Sequence, residues 1–263
     1  MEMIATLRDA LFAEWTKLRS ISSNAWLLLA SIAVIVAVSG LTTSIEKCQA
    51  GCTTDPAKLS LTGIQLGQAI VVIVAVLIVS GEYSSGMIRF TLAAIPRRSV
   101  MMAAKSGVIS VVVAVVSAVA VLGSVLAGQL FLPGNGFTVK NGAAPLPLGS
   151  GLMLRAAGGS VLYLTLIALL SVGVATAVRD SALAVTVVLG LLYVFPVIGH
   201  VLLNHVWQNR LERFAPMNAG LAIQSTKDLN TLPIGPWPGL GILTAWTAAA
   251  LIIGWVLLRW RDA

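Results

Sequence analysis

Six apolar runs, each long enough to cross a bilayer and free of charged side chains, constrain this chain more than any other feature. They cover roughly 25–43, 61–80, 106–131, 156–178, 181–203 and 239–258. In hydrocarbon a bare backbone has no water to bond, so such a run satisfies its own amides by forming a helix. The sequence therefore predicts an all-α integral membrane protein of six spans, with residues 1–263 forming a single domain. The third run is longer than a bilayer needs and is expected to tilt or protrude. Only 10% of the residues are charged, against about 25% in soluble domains, which leaves no stretch for a separate soluble domain. The first 23 residues are amphipathic and mixed in charge, so no cleaved signal is expected there.

Charge suggests an orientation. With six spans both termini share a side. That side would hold Arg8, Lys17, Arg19, Arg89, Arg97, Arg98, Lys105, Arg179, Arg259 and Arg261. The opposite side would hold Lys47, Lys58, Lys140, Arg155, Arg210, Arg213 and Lys227. The richer set lies on less polypeptide, so the positive-inside rule favours both termini in the cytoplasm. The formal charge of +7 has this topological reading. Basic residues scattered over short loops are a poor fit to nucleic-acid binding.

Residues 1–23 read as an interfacial helix, or elbow. Ile4, Leu7, Leu11, Trp15 and Leu18 recur at spacings of three and four, and Arg8, Lys17 and Arg19 occupy the remaining surface. Such a helix anchors the first span in the headgroup region, and it also offers a face to a cytoplasmic partner. The two cysteines, Cys48 and Cys52, lie in the first outer loop. On an oxidising face they can close a small staple, and two free thiols are the other reading. The second outer loop, 132–155, is rich in Gly and Pro and should lack long regular structure. Pro196 should kink the fifth span near its outer end. The outer segment 204–238 begins with an amphipathic stretch containing Trp207 and Phe214, followed by Pro216. Pro233, Pro236 and Pro238 are expected to break any helix before the sixth span.

The inner loop 81–105 is longer than a reversal requires. It contains Glu82 and Tyr83, then a helix-like centre over 85–94, then Pro96 and Arg97-Arg98. Met87 and Phe90 share one side of that centre, with Arg89 and Glu82 flanking it. From the residues alone, two readings stand: a docking helix for another protein, or a surface-lying loop whose arginines hold topology.

The pattern Glu82, Gly86, Ile88, Leu92-Ala93, Pro96, Arg97-Arg98 resembles the loop after the second span in membrane subunits of ATP-binding-cassette exporters of the type-two permease family. The opening Glu14-Trp15-Thr16-Lys17-Leu18-Arg19-Ser20 and the stretch Pro216-Met217-Asn218-Ala219-Gly220 resemble actinobacterial members. The resemblance implies an elbow before span one, a coupling helix at 81–98 that docks on a separate cytoplasmic ATPase, and re-entrant outer helices at about 204–235. It also implies a dimer, or a pair with a similar permease, served by two ATPase subunits. ATP and Mg would then bind to those partners, with no cofactor on this chain. Glu82, Tyr83, Gly86, Met87, Arg89, Phe90, Pro96, Arg97 and Arg98 would carry the coupling. An uncharged path suits an apolar or amphipathic cargo, with lipids around it.

Other chemistry finds little support in the residues. No Gly-x-x-x-x-Gly-Lys-Ser/Thr phosphate loop is present, so hydrolysis by the chain itself is not expected. The spans lack the charged residues that ion-coupled carriers place at mid-membrane. His200 and His205 are five apart with no acidic partner in a facing span, a poor arrangement for a metal or a catalytic base. The alternative in another class is a membrane scaffold or sensor that recruits a cytoplasmic partner through the same loop.

Overall fold

The computed structural model describes residues 2–20, 22–49, 52–88, 91, 97–143, 147–194, 196–197, 213–230 and 232–260. All regular elements among them are helical. In chain order these are α1 (Glu2–Ser20), α2 (Ser22–Ile45), α3 (Pro56–Ser60), α4 (Ile64–Ser84), α5 (Arg98–Phe131), α6 (Gly151–Val178), α7 (Ser181–Leu189), α8 (Pro216–Leu221) and α9 (Pro236–Trp260). Short 3-10 turns at Pro133–Asn135, Val139–Asn141 and Ala222–Gln224 and a π-turn at Gly190–Val194 complete the set.

Five helices, α2, α4, α5, α6 and α9, are long and apolar enough to cross a membrane. The fifth predicted span is shorter than expected among the described residues. Its apolar helix runs over Ser181–Val194, and the remainder of the 181–203 run lies mostly outside them. The π-turn has a local cause. Pro196 has no N–H to return to the Leu192 carbonyl, and the helix widens its register just before it.

Three boundaries differ from expectation. α5 begins at Arg98, eight residues before the predicted 106, so Lys105 sits two turns inside a 34-residue helix and not in a loop. The short helix α3 precedes α4, capped by the Asp55 side chain, which accepts from the backbone of Ala57 and Lys58. The last helix begins at Pro236, three residues before the predicted 239, so it takes in Pro236 and Pro238. They lie in its first turn, where a missing N–H costs nothing. Among the described residues of 132–150 only short 3-10 turns precede α6, as the composition suggested.

α6 is the central helix and packs against α4, α5 and α9. The apolar windows of α4 and α6 are 56% buried, whereas those of α2 and α9 are 22% buried, so the last two lie at the edge. Small residues set one close crossing. A Cβ on Gly173 would lie 2.5 Å from the Ala250 carbonyl carbon, and one on Gly254 would lie 2.6 Å from the Gly173 oxygen. α6 and α9 therefore meet backbone to backbone, as small residues in spans allow.

The helices alternate in direction, which gives the bundle two ends. One carries α1, the end of α4, the start of α5 and the last turn of α9. The other carries the Cys48–Cys52 loop, α3, the 132–150 loop and α8.

Candidate functional site

The α1 end holds a cluster of four charges from three helices. Glu14 and Lys17 come from α1, Glu82 from the last turn of α4 and Lys105 from the third turn of α5. The Lys17 ammonium donates to Glu14 Oε1 at 3.0 Å, Glu82 Oε1 at 3.0 Å and Thr91 Oγ1 at 3.1 Å. Those three bonds use every donor a lysine has. The Lys105 ammonium donates to Glu14 Oε2 at 2.7 Å and lies 2.9 Å from Glu82 Oε1. Glu14 and Lys105 are each only 5% exposed. Buried ions cost several kcal/mol each unless paired, and here two positive and two negative groups cancel.

The local sequence explains the placement. Ala10, Glu14 and Lys17 follow one another at helical spacing, so they share a face of α1, and Ala10 is buried too. Its small side chain suits the close packing of α1 on α5. Burial by itself would raise the Glu14 carboxyl, but the ammonium groups of Lys105 and Lys17 outweigh it and hold the group below its ordinary 4.5. Burial would likewise lower the Lys17 ammonium, and Glu14 and Glu82 reverse that, holding it above 10.5.

The structure redistributes the residues expected to meet a partner. Glu82 is 7% exposed and turned into the ionic cluster, so it is not a surface contact. Tyr83 is half-buried, with the Arg179 guanidinium 5.4 Å from its ring centre. Arg98 donates to the Leu258 and Arg259 carbonyls and so caps α9. Gly86 has φ +71, which ends α4 and redirects the chain. Met87 and Arg97 stay at the surface. Met87, Ile88 and Thr91 are helical, while Arg89, Phe90 and Pro96 lie outside the described residues.

In α1 only Lys17 departs from the expected placement. Leu7 and Trp15 are exposed, as is Phe12 at 73%, whereas the charged pair faces the bundle. Leu11 is half-buried and Arg19 exposed. An apolar face turned outward suits a helix lying in lipid. Lys17 is thus a bundle residue and not part of the polar headgroup surface.

At the other end the loops are stitched together. Cys48 and Cys52 form a disulfide with Cα atoms 5.5 Å apart, packed with Leu132, Phe137 and Ala143. The Cys48 amide donates to the Asn135 carbonyl, and the Asn135 side chain donates to the Thr43 and Ser44 carbonyls. Asp55 clamps a third segment by accepting from the Thr226 hydroxyl and the backbone N–H groups of Thr226 and Lys227. The Lys227 ammonium bonds the Thr54 and Gly142 carbonyls. Pro216 is buried, Phe214 is exposed, and the Trp246 indole donates to the Phe214 carbonyl. Pro196 is half-buried; Trp207, His200 and His205 lie outside the described residues.

A polar node lies inside the bundle near this end. Gln68 and Tyr163 are fully buried, and the Tyr163 hydroxyl donates to Gln68 Oε1. Gln68 Nε2 donates to the Gln65 carbonyl, which also receives the Tyr193 hydroxyl from the π-turn. The Gln224 amide donates to Ser160 beside it. The sequence reading of polar groups in the spans covers charged residues, histidines and serines but not Gln68 or Tyr163. A glutamine within an apolar run was the available signal. Among the described residues no cluster of His, Cys, Asp or Glu suits a metal ion.

Compared with models of known protein families and with curated proteins, the chain matches none.

Proposed function

We propose that this chain is the six-span membrane subunit of an ATP-driven exporter, coupled to a separate cytoplasmic ATPase at its α1 end. One observation carries the reading: the ionic cluster binds the amphipathic helix, the end of α4, the start of α5 and Thr91 of the connecting segment into one neutral unit. A push on the connector at Met87 or Arg97 then reaches three helices at once. α1 and the connector face the cytoplasm in this reading, which agrees with the basic residues on that side. The disulfide end faces the oxidising exterior.

In this mechanism ATP draws two partner ATPases together, and the connector transmits that motion as a tilt of the helices. Met87 supplies an apolar contact and Arg97 a charged one. Glu82 works within the cluster and not at the partner. The chain pairs with a second copy or a similar permease, and an apolar or amphipathic cargo passes along their shared interface.

The test is co-purification and ATP hydrolysis with a cassette ATPase co-expressed from a neighbouring reading frame, if one is encoded there. Met87→Asp and Arg97→Glu change exposed side chains, so they should leave folding intact while lowering association or coupled hydrolysis severalfold. Failure of the unaltered chain to bind that ATPase would overturn the reading in favour of a scaffold or sensor.

A further inference from the structure

Glu82 Oε2 and the Tyr83 hydroxyl are buried without a hydrogen-bond partner among the described residues. Buried polar atoms are ordinarily bonded, to protein or to an ordered water. Neighbours on a helix do not face each other, so a direct bond between these two does not satisfy them. Both residues line one small cavity, about 10 Å³, enclosed by α4, α5, α6 and the last turn of α9. That is room for the centre of a single water. Two more polar residues line it. The Lys105 ammonium has three donors, and Glu14 Oε2 at 2.7 Å and Glu82 Oε1 at 2.9 Å account for two. The Thr176 hydroxyl donates to the Val172 carbonyl at 2.8 Å and keeps its acceptor capacity. The rest of the lining is apolar.

We infer that this cavity binds one ordered water, which carries the ionic cluster across to α6. The water accepts from the Tyr83 hydroxyl and from the third Lys105 N–H. It donates to Glu82 Oε2 and to Thr176 Oγ1. Two donors meet two acceptors, within the two to four partners a buried water makes. A metal cation is a poor occupant, because the Lys105 ammonium lines the same space and repels it. Glu82 then uses both oxygens, Oε1 on the two lysines and Oε2 on the water. The central helix, which contributes no charge to the cluster, is bound to it through Thr176. The inference rests on packing alone and holds whether or not the chain serves an ATPase.

The first test is an experimental density map of the full chain, fine enough to show ordered waters. The expected result is one solvent peak within hydrogen-bond distance of Glu82 Oε2, the Tyr83 hydroxyl, Lys105 Nζ and Thr176 Oγ1. No peak there, or a direct protein bond to Glu82 Oε2 in its place, would overturn the site. The second test is equilibrium unfolding of Tyr83→Phe and Thr176→Val, singly and together. Each removes one bond to the water and should raise the unfolding constant about fivefold. The double variant should fall short of the product of the single effects by more than about twofold, since both act on one shared molecule. Effects that multiply to within about twofold would overturn the bridge.

Discussion

Replacing Lys105 by methionine tests the ionic cluster most directly. The substitution keeps an unbranched apolar stem of similar length and removes the ammonium that lies 2.7 Å from Glu14 and 2.9 Å from Glu82. Two carboxylates then share Lys17, leaving one excess negative charge at a site where Glu14 is 5% exposed. Removing one partner from a buried pair costs about 3–5 kcal/mol. Glu14→Gln alone leaves the opposite imbalance and should cost a similar amount. The double variant restores neutrality, with Lys17 and Glu82 still 3.0 Å apart. Its cost should fall below the sum of the singles by about 3 kcal/mol, the upper range for residues in contact. Equilibrium unfolding of the purified chain in mixed micles with rising denaturing detergent measures all three. Costs that add to within about 0.5 kcal/mol would refute a shared cluster. So would a Lys105→Met cost below about 1 kcal/mol.

Two further outcomes follow from the same contacts. The Glu14 contribution is complete above its ordinary value of 4.5 and is lost as pH falls through its lowered value. The Lys17 contribution is complete below 10.5 and is lost as pH rises through its raised value. The cluster's stabilisation should therefore be flat from about pH 5 to about pH 10 and fall on either side, read as the unfolding midpoint against pH. In the bundle, Tyr163→Phe leaves Gln68 Oε1 without its phenol donor and should cost about 1–3 kcal/mol in the same unfolding assay; no loss would remove the node from the stabilising contacts.

The long helices were legible because hydropathy reports them directly. α2, α5, α6 and α9 each contain their predicted run, and α4 overlaps most of its own. The ionic cluster was not legible. Glu14 and Lys105 are 91 residues apart, Lys17 and Glu82 are 65 apart, and charges flanking an apolar run ordinarily read as solvated. A local hint existed. Glu14 and Lys17 share the face of α1 that carries Ala10, and a small residue aligned with a charge pair marks a face that packs. For Arg98 the family resemblance implies a contact with a partner, and the residues alone leave a topology-holding role equally open. Its actual partners are carbonyls 160 and 161 residues further on, which no local pattern announces. The Asp55 clamp on Thr226 and Lys227 eluded prediction for the same reason.

The length of α5 has a mechanical consequence. At 34 residues it is about 51 Å long, well beyond the roughly 30 Å of hydrocarbon it needs to cross. It is gripped near both ends, by the ion pairs at Lys105 and by the packing of Gly128 against Ser60, where a Cβ would meet the Ser60 hydroxyl at 2.1 Å. A stiff rod held at two points behaves as a lever. Rotating it by about 5° around its middle carries each tip roughly 2 Å, in opposite directions. Displacement of the basic start of α5 therefore reappears, reversed in sign, beneath the disulfide loop.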